Sequence, residues 1–316
     1  MTNLNYTKNL LVALEYMSTL GFNAPALYPG KFARFNRNGH RNAYAKPLED
    51  GCVIFGDWKT GEKHIFKPDT SGLSDEDADR IRRESEKLRK KRLREEKAQQ
   101  ERARLTAIGL WQQAAPLPPD HPYLVRKRIN PPECARHLAR FQGLTNCTII
   151  PIYGAMDRKL QSLQAIDADG SKLFLKGGKM DLGCCEINRP ETPDGFVFCE
   201  GVATAQTLSD HYFPESVVVA CFSANGLVKV AKAYRGLYPK TPFIIACDND
   251  VSSPGNVGLT KGKEAAALTK AELLEPIFKP GERGSDWNDF WINQQDWLES
   301  VAERHLYDEP GVNDDY

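Results

Sequence analysis

Three carboxylates in two short motifs are the residues best suited to chemistry. Glu200 stands in Cys199-Glu200-Gly201-Val202-Ala203-Thr204-Ala205, and Asp248 and Asp250 stand in Asp248-Asn249-Asp250, about fifty residues further on. Each motif follows an apolar run, Phe196-Val197-Phe198 in the first case and Phe243-Ile244-Ile245-Ala246 in the second. A short apolar run bounded by polar or turn residues predicts a buried strand. The acids then fall at the carboxyl ends of strands, where open α/β sheets form their ligand crevice. Carboxylates meeting in one crevice repel unless a cation joins them. Hard oxygen ligands suit Mg²⁺, which takes few protein carboxylates and fills its shell with water and substrate phosphates. Asp248 and Asp250 alternate along an extended chain and share a face. The competing reading of these acids is a loop that caps a helix N-terminus. Asp286 and Asp289 lie on a turn before an aromatic helix start, and Ser285-Asp286-Trp287 is cap-like, so Asp286 reads equally as metal ligand or helix cap.

The elements that must position these residues follow from pattern and punctuation. At 316 residues the chain predicts two or three domains. Residues 1–72 read as a small β-rich module. It has one amphipathic helix over Asn9–Leu20 and strands near Lys31–Phe35, Ala43–Ala45, Cys52–Trp58 and His64–Phe66. Residues 73–118 read as a charged helical connector, opened by Ser74 as cap with acids in its first turn and closed by Pro116, Pro118 and Pro119. Residues 119–192 read as a mixed β-rich unit. Its strands are Thr148–Tyr153 and Leu160–Ile166, joined through Asp157-Arg158, with Leu173–Leu175 after the Asp169-Gly170 turn. Residues 193–298 alternate strand and helix, ending in a strand at Pro276–Phe278, and predict a parallel α/β unit; 299–316 read as a loosely ordered acidic tail. The fold class is α/β, or α+β over the whole chain.

Lys+Arg and Asp+Glu both number 42, so net charge says nothing about partners. Between Arg80 and Arg104, however, twelve Lys/Arg face five Glu, a pattern expected of a solvated helix. Eight cysteines without a C-x-x-C pair, no signal peptide and no bilayer-length apolar run predict a cytoplasmic protein with reduced thiols and no membrane partner. No zinc is expected, because Cys52, His40 and His64 lack ligand spacing. Lys172, Lys176 and Lys261 are candidate phosphate-binding residues. A solvated strand edge or a basic helix start explains them as simply. Tyr123, Arg126, Lys127 and Arg128, and in the first module Arg34 and Arg41, fit a single-stranded DNA path of charge plus stacking rings.

Glu200-Gly201-Val202-Ala203-Thr204-Ala205 resembles the EGYATA signature of plasmid- and phage-type DNA primases, with Val202 where that signature has Tyr. Asp248-Asn249-Asp250 is similar to the DxD of Toprim domains. Gly255–Lys261, Ser285–Phe290 and the basic stretch Leu163–Gly178 resemble TraC-like conjugative primases. The resemblance covers about residues 120–297. It implies a Toprim catalytic domain with a basic primase subdomain before it, and primer synthesis on single-stranded DNA from ribonucleoside triphosphates. Glu200, Asp248, Asp250 and Asp286 would hold Mg²⁺ or Mn²⁺. A plasmid or prophage setting is implied too, and the absence of a G-x-x-x-x-G-K-[ST] loop implies a separate replicative helicase. Two other functions fit the residues: a Toprim nuclease using the same carboxylates, and a non-catalytic single-stranded-DNA-binding replication protein.

Overall fold

A computed structural model of the chain describes residues 3–28, 30–69, 75–251 and 255–307. Ser74, expected to cap the long helix, and the acidic residues Asp308, Glu309, Asp314 and Asp315 lie outside the described residues. The chain divides into two compact units, residues 1–98 and 99–316.

In the first unit, helix α1 (Asn3–Thr19) is followed by four strands, β1 (Ala33–Arg37), β2 (His40–Pro47), β3 (Val53–Asp57) and β4 (Lys63–Phe66), paired in that order. Asn38 and Gly39 at φ 52° and 79° make the tight turn from β1 to β2, a backbone these two residue types accept at little cost. Leu10, Ala13 and Met17 share one face of α1 and pack with Phe22, Phe35 and Phe55 into this unit's core. Helix α2 (Asp75–Gln113) is a single long element.

The second unit is built on one ten-stranded sheet. Its antiparallel half contains β5 (Ala115–Pro116), β6 (Arg136–Phe141), β7 (Leu144–Gly154), β8 (Leu160–Ile166), β9 (Lys172–Phe174) and β10 (Gly183–Glu186). Strand β7 organises this half. One edge pairs with β8; the other pairs first with β6, from Leu144 to Ile149, and then with β10 at Tyr153 and Gly154. Ala103 and Ala107 of α2 bury against Ile149, Leu163 and Ala165 of these strands. Between β5 and β6 runs the short helix α3 (Pro122–Lys127), where Pro122 and the capping side chain of His121 start a helix in a stretch expected to be a surface path.

The parallel half has the order β14-β13-β11-β12, from β11 (Phe196–Cys199), β12 (Val217–Ala220), β13 (Phe243–Ala246) and β14 (Glu272–Leu274). Helices α4 (Val202–His211), α5 (Ala224–Leu237), α6 (Val257–Thr269) and α7 (Trp287–Tyr307) complete it. Alternation along the strands splits the core in two. Val197, Cys199, Val218 and Ala220 pack with α4 and Trp287, while Phe196, Phe198, Val217 and Val219 pack with α5 and α6. A parallel sheet covered on both faces explains the unbroken apolar runs. Strand β10 joins the two halves by pairing antiparallel with β12. The last parallel strand is Glu272–Leu274, not Pro276–Phe278. Proline has no N–H for a ladder, so pairing with β13 ends before it. Nor does the chain loosen at residue 299: α7 runs on to Tyr307.

Candidate active site

From β11 the chain passes to β12 on one side and then crosses back to β13 on the other. The reversal leaves a switch point between the carboxyl ends of β11 and β13. Phe198 pairs with Ile245 across this junction, so Glu200 and Asp248 emerge side by side, each just past its strand. The Glu200 carbonyl accepts the Phe222 N–H at 2.8 Å, and its carboxylate accepts the Ala224 N–H at the start of α5. Burial lifts the Glu200 carboxyl to about 7; the Ala224 N–H works against this and nearby Asp286 adds to it. Asp248 is lifted well above the carboxylate range by burial first, then by Glu200 and Asp286, with Lys172 pulling the other way. Glu200 Oε1 and Asp248 Oδ1 are both buried and have no hydrogen-bond partner.

Asp286 enters from the loop before α7. Its Oδ1 accepts the Asp289 N–H at 2.9 Å, a helix-capping bond, and burial and Asp289 raise it while Lys127 opposes. The cap reading of Asp286 is the one this bond carries, and the same side chain acts electrostatically on Glu200 and Asp248. Asp289 pairs with Lys127 at 3.1 Å. The Lys172 residue is exposed, yet protein around its ammonium and the charge of Lys127 lower its proton affinity against the pull of Asp286, Asp248 and Asp289.

Neutral residues fix this arrangement, and sequence reasoning missed them. Asn249 donates its N–H to the Ser285 carbonyl at 2.7 Å and its side-chain amide to the Pro276 carbonyl at 2.9 Å, and it accepts from Asn256 at 2.7 Å. One residue thus ties the β13 loop to the loop before α7 and to the start of α6. Asn288 is fully buried and donates to the Lys127 carbonyl at 2.8 Å and to Thr207 Oγ1 at 2.9 Å. Gly258 lets α6 approach, since a Cβ there would lie 2.7 Å from the Asp248 carbonyl. A buried polar residue between Trp287 and Phe290 was the available signal for Asn288.

The remaining candidates are placed as follows. Asp250 is partly exposed and engaged in an interaction of its own. Tyr123 is 1% exposed, inside the core with Val202 and Trp287, and its hydroxyl has no partner, so its ring cannot stack on a base. The helical register of α3, with Pro122 and Val125 outward, turns it inward. Arg126 donates to the Ala168 carbonyl at 2.8 Å, and Arg128 pairs with Asp296 at 2.7 Å. Lys261 pairs with Glu264 at 2.7 Å, whereas Lys176 is exposed. In the first unit Arg34 Nε donates to the Arg41 carbonyl at 2.9 Å. All eight cysteines are free thiols, and burial pushes Cys199, Cys221 and Cys247 up, away from nucleophilic use.

Among the described residues, no three His, Cys, Asp or Glu side chains are gathered tightly enough to enclose a metal ion. The donors still fit a hard divalent cation completed by water and phosphate oxygens. They are oxygen ligands, two of those oxygens are buried without partners, and their like charges push one another's proton affinity up.

Parallel strands in this order with acids at the switch point define a class: residues 196–296 match the family model described as Toprim domain, and the chain carries that domain. Over 255 residues, 78% of this chain, it is 30% identical to a DNA primase TraC of Escherichia coli, and over 236 residues, 71% of the chain, 31% identical to a second one. This is a Toprim-domain chain related to the TraC-type primases. It spans 22% and 16% of the lengths of those two relatives. The primase fragment of the bacteriophage T7 primase-helicase protein overlies 56% of this chain and 73% of its own length at a TM-score of 0.41 and 16% identity. Among the described residues no helix is long and apolar enough to cross a membrane.

Proposed function

We propose that the chain is a DNA primase that joins ribonucleotides into short primers on a single-stranded DNA template at the crevice bounded by Glu200, Asp248 and Asp286. The observation that carries this reading is the pair of buried, unpartnered carboxylate oxygens, Glu200 Oε1 and Asp248 Oδ1, at the carboxyl ends of adjacent parallel strands. The relatives named DNA primase supply the reaction class. A divalent cation, Mg²⁺ or Mn²⁺, would be held by Glu200 and Asp248 with Asp250 or Asp286 completing the set, and would activate the primer 3′-hydroxyl and offset charge on the α-phosphate.

The chain's own residues do the rest. Burial raises the proton affinity of Glu200 in the metal-free protein, so its carboxylate is the group that would take up the hydroxyl proton where it does not itself hold the cation. Lys172, whose proton affinity is already lowered, faces the same acids and holds triphosphate oxygens, with Lys176 and Lys261 as further phosphate contacts. Lys127 holds Asp289, and through the cap bond Asp286, in place. Arg126 and Arg128 flank the template path, a helicase exposes the template, and the protein works in the cytoplasm. Incubation with single-stranded DNA, labelled ribonucleotides and Mg²⁺ or Mn²⁺ tests the proposal. Short labelled products that vanish in Asp248→Asn support it. Template cleavage without products, or binding with neither, overturns it.

A further inference from the structure

The first unit carries a second feature, independent of the acidic crevice. Residues alternate between the faces of β1 to β4. Phe35, Ala43, Ala45 and Phe55 point inward to the core with α1. On the opposite face Tyr44 lies between Arg34 and Gly56 in register. Phe32, Tyr44 and Trp58 gather there. Their ring centroids form a triangle with sides of 4.7, 5.6 and 6.0 Å, and their planes lie within 27° of parallel. Gly56 is required first by the close Glu62 carbonyl just before β4, and a Cβ there would also come within 2.9 Å of the Tyr44 hydroxyl. The Arg34 guanidinium sits 4.9 Å over the Trp58 ring, steadied by its bond to the Arg41 carbonyl.

Packing within this unit does not account for the cluster. The core lies on the other face, and Phe32 and Trp58 remain 52% and 46% exposed. The charge on the outward face has one sign. Lys46 and Lys63 join Arg34 there, and no Asp or Glu falls at an outward strand position. The nearby carboxylates turn the other way: Asp57 is buried, and Glu62 is taken by Arg37 and His64. Exposed near-parallel rings beside unopposed cations match a ligand with flat apolar faces and a regular negative charge.

We infer that this outward sheet face binds single-stranded nucleic acid, with unstacked bases adding to the cluster of Phe32, Tyr44 and Trp58 and with Arg34, Lys46 and Lys63 facing the phosphates. Base–ring stacking of this kind is indifferent to sequence and is available only where bases are unpaired. The surface would hold a strand by itself, whatever the acidic crevice does with it.

The test uses the full chain in EDTA without nucleotides, so that it stands apart from polymerisation. Labelled oligo(dT), oligo(U) and a duplex of equal length are titrated by fluorescence anisotropy, and 5-iodouracil-substituted oligo(dT) and oligo(U) are photo-crosslinked and the attached peptides mapped. The expected results are single strands bound in preference to duplex and a crosslink within residues 28–66. Trp58→Ala should weaken binding about tenfold or more, the loss of one stacked base, whereas Trp58→Phe should largely restore it. Arg34→Ala should lower the salt dependence. A preference between the two oligomers identifies the strand's natural source, and equal binding reflects pure stacking; each supports the inference. Crosslinks confined to residues 99–316, duplex bound as well as single strand, or Trp58→Ala lowering only the melting temperature would overturn it.

Discussion

Replacing Glu200 by glutamine should stabilise the metal-free protein while abolishing its activity. Burial raises the Glu200 carboxyl from 4.5 to about 7, so the folded chain holds this proton more tightly than the unfolded one. Between those two values the folded state binds the extra proton, and stability falls as pH rises. At about 1.4 kcal/mol per pH unit the loss amounts to about 3 kcal/mol by pH 8, and it is absent at and below the unfolded value. Asp248 and Asp286 are raised too, so their contributions carry the same sign. Glutamine keeps the size and the acceptor for the Ala224 N–H and removes the charge. In EDTA at pH 8, Glu200→Gln should therefore melt about 6–12 °C above the wild type, given about 2–4 °C per kcal/mol for a unit of this size. At pH 4.5 the two should coincide. Circular-dichroism melts at both pH values measure this, and added Mg²⁺ should close the gap at pH 8 by stabilising only the wild type. A variant that melts lower at pH 8, or a gain of equal size at pH 4.5, would refute the electrostatic reading of the site.

Other substitutions probe the scaffold. Asn288→Ala removes two donated bonds from a fully buried site and should cost about 1–3 kcal/mol in thermal unfolding, with the proposed primer synthesis falling as Lys127 loosens. Gly258→Ala drives a methyl against the Asp248 carbonyl and should cost about 1–3 kcal/mol, whereas Gly236→Ala in α5, with open space around it, should stabilise by up to about 1 kcal/mol in the same melts. Tyr123→Phe deletes a hydroxyl that has no partner and should leave stability unchanged or raised, while Tyr123→Ala should cost about 3–5 kcal/mol, both read by chemical denaturation.

How much was legible in the sequence depended on whether a signal was local. The strands Phe196–Cys199 and Phe243–Ala246 stand out because both faces of a parallel sheet are covered, leaving short unbroken apolar runs that end at acids. Strand β6, Arg136–Phe141, is not visible in the same way: charged residues punctuate it, and its pairing with β7 is set by tertiary contact. Strand β10 is only four residues long, and its role of joining the two halves of the sheet exists only in three dimensions. The basic end of α3 resembles a surface path until the helical register turns Tyr123 inward. Glu200, Asp248 and Asp286 could be picked out as charged residues at element ends. Asn249 and Asn288, which tie those ends together, carry no charge pattern, and their work appears only as bonds between distant loops.

The central claim is that the acidic crevice is a divalent-cation site, and calorimetric titration of the full chain with Mn²⁺ tests it most directly. Run near pH 6.5 in two buffers of different ionisation enthalpy, it should show binding coupled to proton release, because Glu200, raised to about 7, is still largely protonated there and burial shifts Asp248 in the same direction. Asp248→Asn should weaken the binding at least about tenfold, the effect expected of losing a carboxylate ligand. Binding of equal strength in the variant, or binding with no proton released, would contradict the claim.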